Sequence, residues 1–80
     1  MNVSILAFGI VRDIFGSSSV NMEVRDACQV AELRNSLEEK FPQLKQLSSF
    51  MIAVNNRYAA LDEKISTKDE IAIIPPVSGG

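Results

Sequence analysis

Only one stretch of this chain has helical periodicity of any length, and that limits what the rest can build. Val30, Leu33, Leu37 and Phe41 recur at i, i+3, i+7 and i+11 as an apolar stripe, with Arg34, Glu38, Glu39 and Lys40 mostly on the solvated side. Asp26 followed three residues later by Gln29 has the form of a capping box, or Gln29 is itself the cap. Pro42 stops the helix or begins a further short turn through Leu47. A single helix covers one face of one sheet, so the remaining apolar segments must form that sheet.

Five segments read as strands: residues 3–8, 20–24, 50–54, 57–60 and 70–74. Ile10 to Phe15 reads as a short helical turn closed by Gly16, and Ser17-Ser18-Ser19 and Asn55-Asn56 as turns. The order is β-β-α-β-β-β, an α+β arrangement with one main helix packed on a sheet. Residues 1–74 make one domain and residues 75–80 an extended C-terminal tail.

The strands are apolar on more than the helix-facing side. Val3, Ile5 and Ala7 share one face of the first strand, with Leu6 and Phe8 on the other; Ile71 and Ile73 oppose Ala72 and Ile74 in the last. Apolar side chains are therefore expected on the uncovered face, where they mark a partner surface.

The tail, Pro75-Pro76-Val77-Ser78-Gly79-Gly80, is the other informative stretch. Two prolines fix φ and favour an extended exit from the last strand. Gly79 and Gly80 leave an α-carboxylate on a thread without side chains, able to enter a space too narrow for other residues. Fully extended, the tail reaches at most about 20 Å. The functional reading is that the Gly80 carboxylate is the reactive group, presented to another protein's active site.

Competing sites within the chain are weak. Histidine is absent from the sequence, which removes the commonest general base and metal ligand. Cys28, at the helix start, has neither a histidine nor a second cysteine beside it, so it reads as a small buried hydrophobe and no disulfide forms. Asp62, Glu63, Asp69 and Glu70, with Lys64 and Lys68, read as solvated surface. Ser78 has no base, and Gly79-Gly80 precedes no helix that would make it a phosphate loop. No metal ligand set or bound cofactor is expected. A net charge of −2 without a basic patch argues against nucleic acid. No cationic leader and no long apolar run points to a membrane, so the cytoplasm is the expected location.

Three stretches together resemble the MoaD family: Ala53-Val54-Asn55-Asn56-Arg57-Tyr58, Lys68-Asp69-Glu70-Ile71-Ala72-Ile73-Ile74, and the Pro-Pro-Val-Ser-Gly-Gly ending. The opening strand with Phe8 and Arg12, and the Val30-Ala31-Glu32-Leu33 helix start, are similar too. The resemblance implies a ubiquitin-like β-grasp fold and the role of small sulfur-carrying subunit of molybdopterin synthase, a non-catalytic member of that enzyme. An E1-like (MoeB-like) enzyme would use ATP to adenylate Gly80, and a sulfur donor would convert the adenylate to a thiocarboxylate. The tail would then thread into a MoaE-like large subunit and give sulfur to cyclic pyranopterin monophosphate, within a heterotetramer. Two such transfers would build the dithiolene of molybdopterin. Phe8, Arg12, Tyr58 and Ile74 would belong to the docking surface. Asn56 and Lys68 stand where the family often has glycine, which leaves the turn type there open. Two related roles use the same terminal chemistry: the thiamine-thiazole sulfur carrier and a ubiquitin-like protein modifier.

Overall fold

The last strand is the axis of the sheet. A computed structural model describes residues 1–47 and 49–76. It contains β1 (Asn2–Ala7), α1 (Ile10–Phe15), β2 (Ser19–Glu23), α2 (Val30–Lys40), a 3₁₀ turn (Pro42–Gln46), β3 (Met51–Val54), β4 (Arg57–Tyr58) and β5 (Ile71–Ile74). The sheet order is β2-β1-β5-β3-β4. β5 runs parallel to β1 and antiparallel to β3, and the two outer pairs are antiparallel. This mixed sheet with one main helix is the β-grasp arrangement the resemblance implies. Ile-Ala-Ile-Ile suits the central place because it is apolar on both faces.

On the helix side, Val3, Ile5 and Ala7 of β1, Ile52 and Val54 of β3, and Ile71 and Ile73 of β5 are buried against Val30, Leu33 and Leu37 of α2. Leu44 and Phe50 close one end of this core. The periodicity read from sequence thus places the α2 stripe and the inward residues of the strands correctly.

Three local readings change. The start of α2 has no side-chain cap; Gln29 is its N-cap residue and Asp26 plays no part. The first helical amides are instead taken by backbone between β4 and β5: Val30 N–H donates to the Glu63 carbonyl and Ala31 N–H to the Leu61 carbonyl, both at 2.9 Å. These carbonyls, brought by tertiary contact, accept from orphan amides as a cap side chain would. Arg34 is not on the solvated side alone: its guanidinium lies 4.1 Å over the Phe50 ring and donates to the Phe50 carbonyl at 3.1 Å. The return strand after the Asn-Asn turn is also shorter than expected, Arg57–Tyr58 rather than through residue 60.

Candidate functional site

Opposite α2, no element among the described residues covers the sheet. Register lines up Leu6 with Ala72, Ala72 with Ala53, and Ala53 with Tyr58, one rung across four strands. The two alanines give this rung a low floor between bulkier ends. Phe8 and Ile74 rise beside it, and Asn56, Arg57 and Glu70 form a polar rim around a depression of about 410 Å³. Phe8 is 47% exposed and Tyr58 62% exposed, both unusually open for large apolar side chains. Met51, opposite Ile74 in the pairing of β3 with β5, is exposed on the same side.

Phe8, Tyr58 and Ile74 therefore line one groove. Arg12 does not: it is exposed on α1 and borders a neighbouring hollow with Leu6, Phe8, Ser18 and Ser19. Leu6 and Ala72 were legible as outward residues from strand alternation. Ala53 and Met51 were missed, although the same period-2 pattern applied to residues 50–54 would have found them.

The groove's far wall is set by the β3–β4 turn. Asn55 (φ 54°) and Asn56 (φ 69°) are both left-handed, the geometry of a two-residue hairpin turn that asparagine tolerates. Lys68 is not among the left-handed residues, so glycine is not required there. Asn55 then clamps the turn to the start of β5. Its Nδ2 donates to Asp69 Oδ1 at 2.9 Å, its Oδ1 accepts from the Glu70 N–H at 2.9 Å, and its own N–H donates to the Glu70 carbonyl at 2.8 Å. Asp69 Oδ2 also accepts from the Ser66 N–H at 2.8 Å. Glu63 makes a two-pronged pair with Arg57 at 2.9 and 3.0 Å. Asp69 and Glu63 are thus structural partners rather than plain solvated charge.

The Asn55 amide, and next the Ser66 N–H, hold the Asp69 carboxyl below its usual range, against an opposing effect of burial. The folded chain binds that proton more weakly than the unfolded chain. The resulting stability is complete above the unfolded pKa of about 3.9 and is lost as pH falls through the lower folded value. Asp69→Asn should cost about 1 kcal/mol at neutral pH, since its amide cannot accept from both donors. Measured by thermal melting from neutral pH downward, the gap between wild type and Asp69→Asn should close in acid. A gap independent of pH would show that the carboxylate charge is not what holds the turn.

Cys28 is buried, and burial is the first cause pushing its thiol up, away from the reactive thiolate. Among the described residues no group of three or more His, Cys, Asp or Glu side chains is placed to hold a metal ion, and no helix is long and apolar enough to cross a membrane. Val77, Ser78, Gly79 and Gly80 lie outside the described residues. Pro75 and Pro76, directly after the groove residue Ile74, are half-buried.

Residues 5–80 match the ThiS family. The chain is 39% identical over 80 residues to a molybdopterin synthase sulfur carrier subunit of Dictyostelium discoideum, covering 95% of this chain and 93% of that protein. Among solved structures, SAMP1 from Haloferax volcanii superposes with a TM-score of 0.83 at 26% identity, covering all of both chains. A chain from the complex of subunits 1 and 2 of molybdopterin-converting factor from Helicobacter pylori superposes with a TM-score of 0.70 at 27% identity, again over the full length of both.

Proposed function

Because the chain belongs to the ThiS family, we propose that it is the sulfur carrier subunit of molybdopterin synthase and that its tail, residues 75–80, bears the reacting group. The observation that carries this reading is the open apolar groove lined by Phe8, Tyr58 and Ile74, placed where β5 passes into Pro75. A docking face next to the root of a glycine-ended arm suits a protein that brings its own terminus into a partner's active site. The partner is a large synthase subunit, as the Helicobacter pylori complex of two subunits suggests. The full-length likeness to molybdopterin synthase sulfur carrier subunits favours this role over the thiazole carrier.

The chemistry is that of an activated acyl group. The Gly80 carboxylate attacks the α-phosphorus of ATP on an E1-like enzyme, forming the acyl adenylate and releasing pyrophosphate. A sulfur donor displaces AMP, leaving a thiocarboxylate whose soft, anionic sulfur is a far better nucleophile than the carboxylate oxygen. In the large subunit that sulfur attacks the pterin precursor, and water then cleaves the acyl–sulfur bond, which leaves the sulfur on the precursor and returns the tail as a carboxylate ready for another round. The chain contributes reach and order: Gly79 and Gly80 permit close approach, and Pro75-Pro76 reduce the conformational freedom lost on threading. Acids, bases and oxyanion donors come from the partners.

The likeness to SAMP1, whose name is small archaeal modifier protein, favours one second reading: a modifier that ends in an isopeptide bond to lysine. Intact-mass measurement of the chain from its own cells separates the two. The carrier reading expects a fraction heavier by the difference between sulfur and oxygen. Its absence under sulfur-replete conditions, with protein adducts in its place, would establish the modifier.

A further inference from the structure

Gly9 sits where β1 passes into α1, one residue beyond the groove residue Phe8. Its backbone, φ 56° and ψ −132°, lies in a region that only glycine enters without strain. This is not the left-handed helical well that asparagine shares, so no polar residue substitutes for it. A Cβ at Gly9 would stand 3.2 Å from Cγ of Pro75, tighter than carbons usually rest, so the ring would have to shift by a few tenths of an ångström. The hydrogen at this position is therefore filled against by the first ring of the tail. Gly16, by contrast, is left-handed but faces no neighbour within 4 Å, so it serves only to end α1.

We propose that Gly9 is a positioning residue for sulfur transfer: its missing side chain seats the Pro75 ring against the β1–α1 junction, and that seat sets the direction in which the tail leaves the docking groove. The proposal rests on the reading of the tail as the sulfur-bearing arm. The parallel pairing of β1 with β5 brings the ends of both strands to the same edge of the groove, so a displacement at Pro75 changes where the arm points relative to Phe8 and Ile74. Because φ of the next residue is also locked by Pro76, an error at the root is carried outward rather than absorbed.

The test uses the full chain charged as the thiocarboxylate, with the large subunit at saturating concentration. Gly9→Ala should lower the transfer rate about 10- to 100-fold, the penalty expected for a misplacement of about 1 Å or less. Affinity for the large subunit should stay within a few-fold. Pro75→Ala removes the same seat from the other side, so it should lower the rate by itself, and adding it to Gly9→Ala should lower the rate little further. If Gly9→Ala does not fold, a methyl group added at Cγ of Pro75 by ligation crowds the same contact without touching the Gly9 backbone, and should lower the rate in the same way. In the free wild-type chain, the Gly9 α-protons should show a nuclear Overhauser effect to the Pro75 γ-protons. Full transfer rate in the crowded variants, fully additive losses in the double variant, or absence of that Overhauser effect would overturn the seat. A wild-type chain that accepts no sulfur would instead overturn the carrier reading, and the Overhauser effect would still decide the seat.

Discussion

Deleting Gly80 should reduce sulfur transfer below detection, at least about a thousandfold, while the melting temperature and affinity for the large subunit stay near wild type. The truncated chain still ends in a glycine carboxylate, that of Gly79, so terminal chemistry itself is retained. What is lost is reach: one extended residue spans about 3.3–3.6 Å. Reacting atoms must approach within about 3–3.5 Å, and a misplacement of about 1 Å can cost about a hundredfold. A shortfall of a whole residue exceeds what the tail can recover, because Pro75 and Pro76 already hold its root extended. Fold stability is spared because, among the described residues, the buried set ends at Ile73 in β5. Gly80→Ala keeps the length and adds only a methyl group, so it should fall between deletion and wild type in a single-turnover assay. If the truncated chain supports cofactor synthesis, the Gly80 carboxylate is not the carrier of sulfur.

The secondary structure was legible because each segment has a clear period. The α2 stripe from Val30 to Leu37 and the alternation in Val3, Ile5 and Ala7 each leave one consistent buried face. The apolar character of Ala72 and Ile74, opposite Ile71 and Ile73, already indicates apolar side chains on the face of the sheet that the helix does not cover. Sheet order was not readable in the same way. The parallel pairing of β1 with β5 joins segments more than sixty positions apart in sequence, and no local pattern encodes it.

The outward groove was partly legible for the same reason. Leu6, Phe8, Ala72 and Ile74 follow from alternation, whereas the low floor needs Ala53 to stand beside Ala72, which only the register supplies. The Asn55–Asp69–Glu70 clamp was missed because surface acids have no sequence signature that distinguishes a hydrogen-bonded carboxylate from a solvated one. The absent cap at α2 has a similar origin: the Glu63 and Leu61 carbonyls reach its first amides through tertiary contact. No local pattern in the sequence marks Gly9 as more than the end of the first strand. Its value depends on Pro75, far away in sequence, lying 3.2 Å from the position a Cβ would take.

Ile74→Asp should weaken binding to the large subunit by about a hundred- to a thousandfold, the scale of losing a central interface anchor worth about 3–4 kcal/mol. Ile74 is half-buried in the free chain and lines the groove beside Phe8. Docking would bury it further, and a carboxylate there would lose its water without gaining a paired cation. Phe8→Ala removes contact without introducing charge and should cost less, about tenfold. Glu39→Gln, on exposed α2 away from the groove, should leave affinity unchanged. Titration calorimetry with the large subunit gives these affinities, and melting temperatures show that each variant is folded. Transfer kinetics then separate docking from reach. Raising the large-subunit concentration should restore the rate of Ile74→Asp, because its tail is intact, but not that of the Gly80 deletion. If Ile74→Asp binds as tightly as wild type, the groove is not the docking face. If it stays slow at saturation, Ile74 acts on the threaded tail rather than on association.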